Sequence, residues 1–324
     1  MLGHEWAVRL LRGQIESERV RHAYLFTGPQ GLGRRTLAIR FAKALNCEQP
    51  PCPGEPCGEC RSCVQVERMQ HPDLIIVQSE QRGGTLKVDQ VRTLQHSLAL
   101  SPYEARYKVA LLLRFEEANQ NAANALLKTL EEPSPQVVLI LTAENEELLL
   151  PTIVSRCEVL RLRPVPIEQV NGGLQDRWGL PGEQAELLAH ISNGRPGYAI
   201  NLHQNPKQLE ERQRWLDDHY GLLSSSRVER FVYAETLAKM RKELLKVLMV
   251  WLSLWRDVLL YSSGATFPVV NIDRLDEIEQ LASLFGLNAA HSSVADIERT
   301  LELLDRNINT RLAMEVLMLD LPKT

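Results

Sequence analysis

The sequence predicts two structural classes in one chain: an α/β domain with a parallel sheet of P-loop type up to about residue 165, and helices from there to the end. Three observations predict it. Short apolar runs alternate with amphipathic stretches through the first half, the pattern of strands buried on both faces. The first of these runs leads into a glycine-rich loop that opens a helix. Beyond Pro164 and Pro166 the strand signals stop and helical spacing takes over.

In order, residues 4–19 form an amphipathic helix, with Trp6, Leu10, Leu11 and Ile15 at helical spacing. Ala23 to Thr27 is a buried strand ending at Gly28, and Leu37 to Leu45 a helix. Leu74 to Val77 is the second strand, Val88 to Leu98 a helix, and Lys108 to Leu113 the third strand. Asn119 to Glu131 is a helix stopped at Pro133, Val137 to Leu141 a fourth strand, and Val159 to Leu162 a fifth. Residues 167–204 carry a few short helices. Longer helical runs cover Val228 to Tyr261, Asp273 to Phe285 and Val294 to Leu319. The stripe Leu237, Met240, Leu244, Leu248, Trp251, Trp255 and Leu259 is the expected core face of the last part. This gives three expected domains: 1–165, a small helical domain at 166–205, and a helical bundle at 206–324.

A chain of 324 residues favours two or three domains. The formal net charge is −4 and the pI about 6.1, which excludes a chain coated in basic residues that grips DNA by itself. The N-terminal residues lack a charged region followed by an apolar run, so no signal peptide is read. The longest apolar stretch, Val247 to Trp255, is too short to cross a bilayer. The expected compartment is a reducing cytoplasm, with no membrane partner.

Gly28-Pro29-Gln30-Gly31-Leu32-Gly33-Arg34-Arg35-Thr36 follows a strand and opens a helix, the context that a P-loop needs. Such a loop cradles phosphates with its backbone N–H groups, reaches them with a lysine and holds Mg²⁺ with a hydroxyl. Here the glycine spacing is intact, but Arg34 stands at the lysine position, Arg35 at the hydroxyl position, and Thr36 one residue late. Arginine does not replace lysine in a tight loop, and Arg35 cannot ligate Mg²⁺. The end of the third strand carries Leu113 and Arg114 where an acidic pair would handle Mg²⁺, and Glu116 and Glu117 follow later. The reading is a decayed P-loop. A nucleotide would meet Gly28, Gly31, Gly33, Arg34 and Thr36; ATP binding by this chain is doubtful, and passive occupancy stays open.

Five of the six cysteines lie between Cys47 and Cys63, spaced Cys47-x4-Cys52-x4-Cys57-x2-Cys60-x2-Cys63. In a chain of this size without an export signal, that density points to metal rather than disulfides. Four thiolates suit a structural tetrahedral Zn²⁺ site. The expected ligands are Cys47, Cys57, Cys60 and Cys63, with Cys52 the spare; an iron–sulfur cluster is the runner-up.

Two blocks, Asn124 to Pro133 (Asn-Ala-Leu-Leu-Lys-Thr-Leu-Glu-Glu-Pro) and Pro151 to Cys157 (Pro-Thr-Ile-Val-Ser-Arg-Cys), resemble signatures of bacterial DNA polymerase III clamp-loader subunits. His22 to Gly28, Tyr107 to Val109, the cysteine insertion and the C-terminal run Asn307-x-Asn309-x-Arg311-Leu312-Ala313-Met314-Glu315 resemble the same family, over nearly the whole chain. The resemblance implies a AAA+ module: the α/β domain, a helical lid and a helical collar. It offers two kinds of subunit, an ATP-hydrolysing motor of the gamma/tau kind and a non-hydrolysing stator. A motor needs the lysine and threonine of the loop, the acidic strand end and a lid arginine; Gly197 stands where that arginine is expected, with Arg195 nearby. All three depart together, which implies the stator, part of a polymerase holoenzyme but no enzyme on its own. Thr142 falls near the family's sensor-1 position. Arg156 is intact, and the resemblance makes it an arginine finger acting in trans on a neighbour's nucleotide. The implied partners are gamma/tau and delta subunits in a pentamer and, through the complex, the sliding clamp and primer-template DNA in replication. The alternatives are an active ATPase motor using Arg34, Thr36 and Glu116 or Glu117, and a stand-alone zinc protein that binds nucleic acid, which the acidic pI opposes.

Overall fold

In the computed structural model residues 1–323 are described, apart from 82 and 307. Asn307 of the C-terminal motif and residue 324, the end of the expected third domain, therefore lie outside the described residues.

The strands are β1 (Ala23–Thr27), β2 (Leu74–Val77), β3 (Lys108–Leu112), β4 (Val137–Ala143) and β5 (Glu158–Arg161). They form one parallel sheet in the order β2-β3-β4-β1-β5. Every residue of β1, β3 and β4 is buried, because helices cover both faces of the sheet. Side chains alternate along each strand, so one strand feeds two cores. Leu25 and Leu112 pack with Leu94, Phe115 and Leu126 on one face, while Tyr24, Phe26 and Leu111 pack with Leu37 and Phe41 on the other.

Buried polar groups fix the edges of this layer. Asp73 is fully buried and accepts the backbone N–H groups of Tyr103, Glu104 and Ala105 at 2.7, 2.9 and 2.9 Å, which shapes the approach to β3. Burial raises its pKa and those three donors, with the charge of His71, outweigh burial, so the carboxyl lies below its ordinary value. Lys108 donates to the carbonyls of Ser97, Leu100 and Ser101, satisfying the end of the helix Val88–Leu98. Asn46 pairs both ways with the Tyr107 backbone, joining the helix Arg34–Asn46 to the start of β3.

Two compact units result: Met1–Gly173 with Gly194–Tyr198, and Leu174–Asn193 with Ala199 onward. The second unit is helical. The predicted run from Val228 to Tyr261 is two helices, Arg227–Ala238 and Arg241–Ser262, and Met240 at the break is 44% exposed while Leu237, Leu244, Leu248, Trp251 and Trp255 are buried. The run from Val294 to Leu319 is also two helices, ending at Asp305 and restarting at Thr310. Leu275–Asp305 is itself broken at Gly286, whose φ of 69° and ψ of −176° lie in a region open to glycine alone. Among the described residues, no helix is long and apolar enough to cross a membrane.

Arg230 holds this unit together from inside. It is 4% exposed and donates five hydrogen bonds, to the carbonyls of Leu222, Leu223, Met318, Leu321 and Pro322. These carbonyls belong to the C-terminal ends of Lys207–Ser224 and Thr310–Asp320 and to the residues just beyond, so one guanidinium closes two helices. Trp251 donates to the Trp215 carbonyl and Trp255 to His219 Nε2, at 2.8 and 2.7 Å. Burial pushes the His219 pKa down to about 3, so it packs as a neutral ring.

Arg230→Ala should destabilise the helical unit by about 3–5 kcal/mol, since it leaves buried carbonyls without donors; urea unfolding of the chain measures it. Asp73 is depressed in the folded state, so its contribution is fully present above its unfolded pKa and is lost as pH falls through the lower folded value. Asp73→Asn should therefore lower stability at neutral pH and flatten the acid limb of the stability-versus-pH curve, measured by thermal unfolding between pH 2 and 7, a window set by carboxylate pKa values of roughly 4.

Candidate functional site

In a parallel sheet the C-terminal strand ends share one edge, where open α/β folds build their sites. Here that edge gathers the glycine loop after β1, Arg114 after β3 and Thr142 within β4. The loop is backbone-driven. Gly28, Gly31 and Gly33 have φ of 137°, 89° and 90°, the left half of the map that side chains rarely adopt. A Cβ on Gly28 would lie 2.3 Å from the Leu162 carbonyl oxygen, and one on Gly31 would lie 3.0 Å from Tyr198. Gly33 caps the helix Arg34–Asn46 at its N-terminus.

The segment Arg195 to Tyr198 sits directly on this loop. Gly197 N donates to the Gly31 carbonyl at 2.7 Å, and a Cβ on Gly197 would lie 2.9 Å from that oxygen. That close approach explains the glycine at the position where a lid arginine was expected. Arg195 instead lays its guanidinium over the Tyr198 ring, 4.7 Å from the centroid.

The two loop arginines differ. The Arg34 side chain is 10% exposed and its guanidinium lies 3.8 Å from Glu144. Burial raises the Glu116 carboxyl above its ordinary value, and its own backbone N–H and the charge of Arg34 only partly offset that. Arg35 reaches outward to the Met69 sulfur, and Thr36 lines a groove of about 400 Å³ with Ile39, Arg40, Lys43 and Pro56. Arg114 takes a left-handed conformation, φ 53°, and its backbone N–H donates to Thr142 Oγ1 at 2.9 Å. Its guanidinium holds Glu117 at 3.0 Å through both carboxylate oxygens. Ser79 Oγ and Gly83 N also donate to Glu117. Burial raises the Glu117 pKa, but these bonds outweigh it and keep the carboxyl below its usual range. The two glutamates therefore differ: Glu117 is an internally neutralised anion, and Glu116 a half-protected carboxyl with one oxygen lacking a hydrogen-bond partner among the described residues. Glu116 and Glu117 lie on a 3₁₀ turn, Phe115–Glu117, just after β3.

Cys47, Cys57, Cys60 and Cys63 converge, with all four Sγ atoms within 4.8 Å of one another. The Cys47–Cys57 pair is 3.5 Å apart, and Cys47–Cys60 and Cys57–Cys63 are each 4.0 Å apart. A tetrahedral zinc with bonds of about 2.3 Å requires sulfur separations near 3.8 Å, so the donor set fits that ion. Backbone N–H groups of Cys57, Cys60 and Cys63 donate to Sγ of Cys47, Cys57 and Cys60, which stabilises the thiolate form of those sulfurs. Backbone N–H groups of Cys60 and Glu59 draw the Cys57 thiol down to about 6. Cys52 is apart from the four; it pairs with Arg12 and Glu55. The short helix Arg61–Glu67 was not predicted; it starts where Cys60 Sγ accepts the Cys63 N–H, a cap that sequence periodicity does not report.

Arg156 follows the short helix Pro151–Val154 and is 35% exposed. One terminal nitrogen donates to the Thr152 carbonyl at 2.8 Å, and the other meets Glu131 Oε1 at 2.8 Å. Glu131 ends the helix Gln120–Glu131, whose Leu126 and Leu130 are core residues.

Comparison with known proteins adds the following. The family profile described as "DNA polymerase III, delta subunit" matches residues 3–166, and that described as "DNA polymerase III, delta subunit, C terminal" matches residues 207–323. DNA polymerase III subunit delta prime of Bacillus subtilis is 30% identical over 316 residues, 96% of this chain and 94% of the relative. The subunit of the same name from Pseudomonas aeruginosa is 41% identical over 187 residues, 56% of each. The crystal structure of a DNA polymerase III gamma subunit-related protein from Thermotoga maritima is 20% identical, covers 97% of each chain and has a TM-score of 0.49.

The cysteine geometry predicts one tightly held divalent ion per chain, measurable by elemental analysis. Cys52→Ser should keep the ion, while Cys60→Ser should lose it and lower the melting temperature; equal retention by both variants would refute the four-ligand assignment.

Proposed function

The chain belongs to the DNA polymerase III delta prime family of clamp-loader subunits, and on that premise we propose that it is the non-hydrolysing stator of a clamp loader. In this reading it carries a structural Zn²⁺ on Cys47, Cys57, Cys60 and Cys63 and presents Arg156 to the nucleotide of a neighbouring motor subunit. The reading assigns an AAA+ domain to 1–165, a lid to 166–205 and a collar to 206–324. The partners are gamma/tau and delta subunits in a pentamer, and through them the sliding clamp and primed DNA.

The observation that carries the proposal is the internal neutralisation of the glycine-loop edge. A motor aims a lysine at the phosphates and keeps a hydroxyl and a carboxylate for Mg²⁺. In this chain Arg34 faces Glu144, Thr142 is occupied by the Arg114 backbone, and Glu117 is held by Arg114 and Ser79. Moving ATP and Mg²⁺ into that edge would require those contacts to break. Arg156, by contrast, lies near the surface, held within the chain by one hydrogen bond to the Thr152 carbonyl and an ion pair with Glu131. A guanidinium delivered to developing charge on a phosphoryl group accelerates transfer strongly.

Zinc supplies no chemistry at such a closed four-sulfur shell; it cross-links the insertion. Cys47 at the end of the helix Arg34–Asn46 and Cys63 within Arg61–Glu67 would then be joined through one ion, fixing two helices that also pack together.

One observation favours a second reading, an active motor: the buried Glu116 carboxyl beside Arg34. The two readings separate in one assay. The isolated chain should show no ATP turnover, and Arg156→Ala in a reconstituted loader should lower the DNA-stimulated rate by roughly 10³-fold at the affected site while assembly persists. Turnover by the isolated chain that Glu116→Gln abolishes would establish the motor instead.

A further inference from the structure

We propose that Glu131 is the positioning residue for Arg156, a carboxylate that orients the guanidinium before any neighbour is present. The inference rests on the arginine-finger reading above and extends it to a residue to which that reading assigns nothing.

An arginine that must act outside its own chain faces two opposed requirements. Left loose, it spreads over many rotamers, and ordering it on arrival costs side-chain entropy. Buried in an ion pair, it is ordered but has no charge to offer. Arg156 meets neither extreme. One terminal nitrogen donates to the Thr152 carbonyl at 2.8 Å, and the other forms an ion pair with Glu131 Oε1 at 2.8 Å. A hydrogen bond at one end of the group and an ion pair at the other restrict the rotamers it can take. Nε–H and N–H groups on the terminal nitrogens remain beyond these two contacts, enough to meet a phosphoryl oxygen without giving up either one.

The two holders come from separate elements with rigid bases. Thr152 is in Pro151–Val154, anchored by buried Ile153. Glu131 is the last residue of Gln120–Glu131, which is seated in the core through Leu126 and Leu130. The Glu131 side chain is 51% exposed and that of Arg156 35%, so solvent screens the pair and little of the guanidinium charge is cancelled. The carboxylate therefore orients more than it neutralises.

The test is steady-state ATP hydrolysis by a reconstituted clamp loader carrying variants of this chain. Glu131→Ala should lower the DNA-stimulated kcat about three- to fivefold, the range set by an exposed ion pair, with KM for ATP unchanged. Glu131→Gln keeps an oxygen acceptor at the same reach and should restore most of the rate. In an Arg156→Ala background Glu131→Ala should change nothing further, because the two residues act as one unit. Gel filtration and melting of each variant separate these effects from misassembly. An unchanged or faster rate with Glu131→Ala, or a loss that persists in the Arg156→Ala background, overturns the positioning role. If Arg156→Ala itself leaves hydrolysis unaltered, it is the finger reading that fails.

Discussion

The parallel register of β1, β3 and β4 is the constraint on which the rest of the first unit depends. Parallel pairing requires each strand to be followed by a crossover, and the crossovers cover both faces. Both faces must then be apolar, which is why β1, β3 and β4 are buried from end to end. The same register brings every strand to its C-terminal end at one edge, so the glycine loop, Arg114 and Thr142 become neighbours although they are far apart in sequence. Strand ends are where polar chemistry can collect in this layer without breaking the core.

What collects there is a set of charges that answer one another. Replacing a loop lysine by Arg34 puts a planar, permanently charged group in a narrow space, and the structure answers with Glu144 and Glu116. Replacing a strand-end acid by Arg114 creates a second cation, and Glu117 and Ser79 answer that one. Each substitution is tolerable only because an anion lies within reach, since an isolated buried charge would cost several kcal/mol. Gly197 on Gly31 completes the arrangement by seating backbone directly on the loop.

The fold was legible in the sequence wherever burial on both faces produced an uninterrupted apolar run. All five strands were found to within a residue or two, because a short run of Leu, Ile and Val bounded by polar residues has few other uses. The helix breaks were legible only in part. The run that ends at Phe285 agrees with the kink at Gly286, whereas Met240 and the stop at Asp305 interrupt predicted runs at points that hydrophobic spacing does not encode. The four-cysteine cluster could be read because its spacing is local; that Cys52 is apart from it agrees with the Pro-rich stretch around it, and the partners Arg12 and Glu55 were not foreseen. The pairing of Glu131 with Arg156 joins two motif blocks that are separate along the chain, and a contact of that kind has no signature in either block alone.

Which arginine of this chain can serve a ligand outside it is decided by solvent access. Arg34 and Arg156 both stand in motifs associated with nucleotide, and both face a glutamate. Arg34 is 10% exposed and Arg156 35%. Their glutamates are alike, 49% and 51% exposed, so the difference lies in the arginines: attraction between charges grows several-fold as the surrounding dielectric falls toward that of a protein interior, and the sheltered Arg34 is the harder one to bring to an external phosphate. A pair near the surface is worth about 1 kcal/mol or less and gives way, or shares, at little cost. The loop that looks like a nucleotide site is therefore the poorer candidate to receive one, and on the proposed reading the short helix end at Arg156 is the better candidate to act on one held elsewhere.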